Sequence, residues 1–188
     1  MLEVMSDYIS LGFTHVLPLG FDHILFILCL FFLNSNVRSV VIQCTVFTIA
    51  HSITLGLTAA HIILPPSVWV EALIAFSIVV AAIENILHNE LNRWRLGLIF
   101  VFGLIHGMGF ATALSDIGLS TQHFFAGLLA FNVGVELGQL TIILVAWYGF
   151  AKWMRHKPWY TKRIVYPFST VIACIALYWT IERLGLVC

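Results

Sequence analysis

Charge is scarce in this chain. Of 188 residues only 10% are Asp, Glu, Lys or Arg, nine basic against nine acidic, and the formal net charge is zero. A soluble domain carries about a quarter charged residues. With 61% hydrophobic residues and a mean hydropathy of +0.99, the apolar surface exceeds what a soluble core of this size buries. A polytopic, all-α membrane protein is the class that remains. No basic cluster is interleaved with exposed aromatics, so nothing points to nucleic acid as a partner. The four cysteines (Cys29, Cys44, Cys174 and Cys188) show no CxxC spacing. The first three fall in apolar runs and read as packing residues. A basic n-region is missing: the N-terminus carries Glu3 and Asp7, so its apolar run reads as a spanning helix and not a cleaved leader. No ATP-binding motif occurs.

What is present is a series of long apolar runs. Spanning needs ~20 apolar residues, and six runs qualify: 8–33, 39–61, 67–88, 95–116, 122–150 and 164–184. Asn/Ser clusters, the Pro65-Pro66 pair and polar stretches separate them, which is turn chemistry. The expectation is a six-helix bundle forming one integral membrane domain over residues 1–188, in contact with the lipid bilayer. Arg38, Arg93, Arg95, Lys152, Arg155, Lys157, Lys162 and Arg163 fall in the odd-numbered breaks, leaving Arg183 opposite. The positive-inside rule then puts those breaks in the cytoplasm and both termini outside, in the cell (inner) membrane.

Residues 47–57, FTIAHSITLGL, resemble residues 102–112, FGLIHGMGFAT, and residues 72–80 resemble residues 127–135. Both pairs share an offset of 55 residues, which also places His51 on His106, Ser77 on Asn132 and Glu84 on Gln139. A parallel repeat of helices 2–3 and 4–5 is expected, with sites at the repeat interface.

Ionisable groups are written into the oily runs, where they are costly and mark ion or proton paths. Asp22 lies 16 residues from Arg38, His51 13 from Arg38, His106 13 from Arg93, and Glu136 16 from Lys152. At ~1.5 Å per residue all four land ~20–24 Å above the same anchors, in one layer with His23 and Asn132. Pro18 and Gly20 should kink or loosen the first span between His15 and Asp22. His15 reads either as a receiving ligand or as an ordinary residue beside a proline kink. Asp22 and His23 share a cation, or pair only to hold helices together. His51 and His106 bind the ion or hydrogen-bond across helices, a contact worth ~1 kcal/mol. Asn132, Glu136 and Gln139 form one helical stripe. Glu84 and Asn85 read either as an inner exit or as a carboxylate paired with a basic residue. Glu71 reads as solvated. The candidate metal ligands are therefore His15, Asp22, His23, His51, Glu84, His106 and Glu136. Imidazole and carboxylate at one depth suit a borderline divalent ion such as Ni²⁺, Co²⁺, Zn²⁺ or Fe²⁺.

Five segments together are similar to a known pattern: GFTHVLPLGFDHILFIL, FTIAHSITLGL, VEALIAFSI with the following EN, FGLIHGMGFA and FNVGVELGQ. In this order they resemble the HupE/UreJ family, in its second and less characterised branch. That resemblance implies a hydrogenase or urease accessory membrane protein, related to nickel or cobalt permeases. It assigns His15, Asp22 and His23 to the family's signature His and Asp-His, and His106 with Gly107 to its later His-Gly motif. Six residues separate His15 from Asp22, where the nickel-permease branch is similar to His-x5-Asp-His. HGMGFA also lacks the additional His and Glu of that branch. Metal binding is therefore implied more directly than nickel is. The expected function is a divalent-metal permease or metal-binding accessory protein. Two alternatives stand beside it: a non-catalytic subunit or assembly factor of a membrane complex, alone or as a homo-oligomer, and a membrane metalloenzyme or haem protein using the same cluster.

Overall fold

A computed structural model describes residues 2–33, 35–88, 94–110 and 124–186, and every regular element among them is helical. The helices are α1 (Leu2–Val16), α2 (Phe21–Leu33), α3 (Val37–Ala59), α4 (Ser67–Leu87) and α5 (Arg95–Gly109), then α6 (Phe124–Met154) and α7 (Thr161–Arg183). A π-helical turn interrupts α6 at Trp147–Ala151, and another opens α7 at Thr161–Val165.

Four of these, α3, α4, α6 and α7, are each long and apolar enough to cross a membrane. The expected first span, 8–33, is not one helix. It is the pair α1 and α2, bent by 69° at the break. Pro18 is the cause: it supplies no N–H and forces the preceding residue out of helical geometry. Counted as one broken span, the pair is a fifth crossing. The expected span 95–116 is represented by α5, a shorter apolar helix of 15 residues. Residues 111–116, with Asp116 among them, the break at Ser120–Gln122 and His123 lie outside the described residues, as does Arg93.

Small residues set the closest contacts. A Cβ at Gly134 of α6 would strike the Ile9 carbonyl oxygen of α1, and one at Gly12 of α1 would strike the Phe131 carbonyl oxygen of α6. On α5, a Cβ at Gly107 would strike the His51 carbonyl oxygen and Thr54 Oγ1 of α3. Backbones that approach this closely gain van der Waals contact, which replaces the hydrophobic drive that lipid does not supply. Thr54 Oγ1 also donates to the Leu104 carbonyl at 2.7 Å. The order of contacts from Gln43–Arg95 through Phe47–Gly103 to His51–Gly107 makes α3 and α5 parallel. A third pair, α4 and α7, is antiparallel, joined from Asn85–Ser169 to Glu71–Arg183.

Helix α2 runs through the middle. It meets α3 at Phe26–Phe47, α4 at Cys29–Asn85, α6 at Phe32–Phe150 and α7 at Asp22–Arg183. Cys29 and Cys44 are buried free thiols, as packing residues should be, whereas Cys174 is exposed.

The polarity of the molecule is inverted relative to a soluble protein. Ile42, Ile49 and Ile53 of α3, Leu73 and Phe76 of α4, and Leu129, Val133 and Leu137 of α6 are exposed at helical spacing. Gln43, Thr48, His51, Ser77, Asn85, Arg95, His106 and Gln139 are buried. An oily outside around a polar inside is stable only in lipid. The chain is an integral membrane protein.

Candidate histidine site

Four helices each deliver an imidazole to one place. His15 ends α1, His23 opens α2, His51 lies past the middle of α3, and His106 lies in the last turn of α5. His23 is the hub: its ring centroid is 4.6 Å from that of His15, 5.9 Å from His51 and 5.3 Å from His106. His15 and His51 are 6.1 Å apart. The bend at Pro18 makes this convergence possible. It brings two residues eight apart in sequence side by side from two differently directed helices.

The surrounding wall is aromatic. Phe110 and Phe131 lie against His15 at 3.8 and 5.6 Å, Phe47 against His106 at 5.0 Å, and Phe26 against His106 at 5.4 Å. One polar contact fixes the set: Ser77 Oγ and His106 Nε2 are 2.9 Å apart. Ser77 Oγ also donates to the Ile74 carbonyl at 2.7 Å. Among the described residues, His15 Nε2, His23 Nε2, both ring nitrogens of His51 and His106 Nδ1 are buried without a hydrogen-bond partner. Buried polar atoms are rarely left so.

The rings edge toward one another without converging on a point. Among the described residues no three His, Cys, Asp or Glu side chains stand in a metal-holding arrangement. Imidazole nitrogens bind zinc-type ions at about 2.0–2.1 Å, so a shared ion requires some of these rings to turn.

Of the candidate carboxylates, Asp22 stays with the cluster, while Glu84 and Glu136 are held by other partners. Asp22 lies beside His23 at the cavity mouth, with its oxygens 3.1 and 3.0 Å from Arg183 Nη2. Glu84 pairs with Arg95 Nη1 at 2.7 Å, both buried, and Arg95 Nε donates to Gln43 Oε1 at 2.9 Å. Glu84, read either as an inner exit or as a carboxylate paired with a basic residue, has Arg95 as an ion-pair partner. Glu136 accepts from Thr45 Oγ1 at 2.7 Å, and Gln139 Oε1 accepts from Thr48 Oγ1 at 3.1 Å. The predicted stripe on α6 exists, but it faces threonines of α3. Thr45 is six residues from His51 on α3, about 9 Å along the axis, so Glu136 lies off the histidine layer in depth as well as in direction. Phe131 is the α6 residue that faces the histidines, and Glu136, five residues on, points about 140° away. Glu71 is 44% exposed, in keeping with the solvated reading, and its carboxylate also lies 3.5 Å from Arg183 Nη1.

A partly open cavity of about 320 Å³ reaches the cluster, lined by His15, His23, His106, Asp22, Glu71 and Phe110 among others. Below it Phe26, Phe47 and Phe102 pack at 5.1 and 6.0 Å and close the way. At the other end of the bundle a second cavity of about 430 Å³ is lined by Ser35, Asn85, His88, Arg155, His156 and Tyr160, with Ser35 Oγ 3.0 Å from Tyr160 Oη. Sequence reasoning missed Ser77, Arg95 and Arg183 as partners. Arg95 and Arg183 carried a signal, since an arginine near a helix end can reach a carboxylate one layer deeper. Ser77 carried none beyond its place in an apolar run.

The fold and this interior define an all-helical integral membrane protein whose polar groups are gathered around a buried imidazole cluster. Comparison of the chain with curated proteins and with solved structures gives no match. The chain belongs to the HupE / UreJ protein family, whose family model matches residues 1–183.

Proposed function

We propose that the protein is a permease or metal-binding accessory protein for a divalent transition-metal ion, with His15, His23, His51 and His106 as the ion site. The observation that carries this reading is the convergence of four imidazoles, His23, His51 and His106 buried and His15 half-buried, most of their nitrogens unpartnered among the described residues, beside a cavity that opens at one end of the bundle. Neutral imidazole suits borderline ions, and nickel, cobalt, zinc and iron all fit that chemistry. Family membership supports an accessory or transport role, as the resemblance to nickel and cobalt permeases implies.

The ion enters the 320 Å³ cavity past Asp22 and is held by the histidines. It passes on when the Phe26–Phe47–Phe102 floor parts, toward the cavity at Asn85 and His88. Hydrophobic constrictions gate in this way. Glu84 acts on this route through Arg95, and Glu136 braces α6 against α3.

The whole chain acts as one membrane unit of six crossings, with the bent α1–α2 pair as the first and α5 as the fourth. The basic ends face the cytoplasm and both termini face outward. The parallel course of α3 and α5, each bringing one histidine to the cluster, supports the internal repeat. Uptake and equilibrium binding of nickel, cobalt and zinc by wild type and His23→Ala chains test the reading. Bound metal and uptake indifferent to His23 would remove it.

A second reading, a subunit seated on a larger membrane complex or on a second copy, is favoured by α7. Only 22% of its most apolar window is buried, against 50–61% for α3, α4 and α6. Purification in mild detergent separates a lone chain from a complex.

A further inference from the structure

Arg183 sits in the last turn of α7 and ties three helices together. Its Nη2 reaches both Asp22 oxygens of α2, while Nη1 donates to the Glu71 carbonyl at 3.1 Å and lies 3.5 Å from Glu71 Oε2 on α4. Asp22 and Glu71 both line the cavity that holds His15, His23 and His106. Two carboxylates face one guanidinium, so the mouth carries one excess negative charge.

The tie is loose. Strong arginine–carboxylate pairs are fork to fork, with two parallel bonds. Here a single nitrogen serves both Asp22 oxygens, and the Glu71 carboxylate stands beyond good hydrogen-bond distance. Water also reaches the three side chains, which are 23%, 24% and 44% exposed for Arg183, Asp22 and Glu71. In this same position the guanidinium also lies 5.6 Å from the Trp179 ring, within cation–π range, a contact that does not depend on the carboxylates. A second, independent observation points to a ligand. His23 and His106 line the same cavity at 6% and 1% exposure, and His23 Nε2 and His106 Nδ1 have no hydrogen-bond partner among the described residues.

We propose that Asp22 and Glu71 form a docking site for a divalent cation at the mouth of the histidine cavity, and that Arg183 is its tethered, displaceable counter-cation. The proposal rests on the metal reading above and deepens it. A hydrated ion of charge +2 outcompetes a guanidinium of charge +1 for the two carboxylates. Arg183 then lets go of the carboxylates and keeps its contact with Trp179, and the ion moves on to the imidazoles. When the mouth empties, Arg183 returns and covers it, so a monovalent cation gains no advantage over the residue already there.

Zinc binding to the full chain in detergent tests this. Arg183→Gln is expected to raise zinc affinity about tenfold, within the usual range of coupling between sites, and Arg183→Gln combined with Glu71→Gln to lose that gain. Zinc titration of the wild type reads the same event without touching Arg183. The part of the fluorescence change that vanishes in Trp179→Phe reports the guanidinium shifting against the ring. Affinity indifferent to Arg183 and Glu71, with a silent Trp179, overturns the proposal. If zinc binding still falls in His23→Ala, the metal reading stands alone. No zinc bound by any of these chains removes both.

Discussion

Arg95 and Glu84 form an ion pair of 2.7 Å with side chains only 2% and 9% exposed. The pair joins α4 to α5, and Gln43 extends it to α3. Removing one partner of a buried pair strands a charge and costs about 3–5 kcal/mol, whereas replacing both is often neutral. Arg95→Met should therefore lower thermal stability in detergent by that order, and Arg95→Met with Glu84→Leu should recover most of it. Equal loss in the single and double variants would show that the pair does not act as a unit.

His23 is the imidazole common to the contacts with His15, His51 and His106, while Glu136 is committed to Thr45. Divalent-metal affinity should fall in His23→Ala by more than the roughly 10–100-fold typical of losing a supporting bond. In Glu136→Gln it should stay near wild type. The reverse order, read by calorimetry on the purified protein, would return Glu136 to the ion site.

Ser77 holds His106 through Nε2, the ring orientation that leaves Nδ1 without a partner among the described residues. Ser77→Ala removes that support at a stability cost of about 1 kcal/mol, yet metal affinity should drop about tenfold or more, as loss of a ligand's supporting bond does. A drop in stability without a drop in affinity would make Ser77 a packing residue only.

Gly107 has no room for a Cβ against α3, while Gly97 on the same helix has nothing within 4 Å. Gly107→Ala should separate α3 from α5 and lower the melting temperature. Gly97→Ala should be neutral or stabilising by about 0.5–1 kcal/mol, since it only removes helix-interior glycine. Similar melting shifts for the two would contradict the close approach.

Much of the fold is legible in the runs of apolar residues, because hydropathy and helix length answer to the same bilayer thickness. Pro18 announced a break, though not a 69° one. Angle depends on what the second helix packs against, here α3, α4 and α7 together. The histidines were legible as a set because imidazole at bilayer depth has few other uses. The carboxylates were not separable from them, since counting residues from a basic anchor gives height and says nothing of direction around the helix. Glu136 reaches Thr45, six residues and so about 9 Å along α3 from His51, and the expected common height fails as well. Arg183 was read as a lone charge at a helix end, and only its long stem, folded over α4, shows that it belongs with Asp22 and Glu71.

The glycine contacts bind α1 to α6 and α3 to α5 as closely fitted couples. His15 rides on the first couple, His51 and His106 ride on the second, and His23 stands on the axle between them. A small slide of one couple past the other therefore widens or narrows the spacing of the four rings without unpacking either, as in shear motions of packed helices.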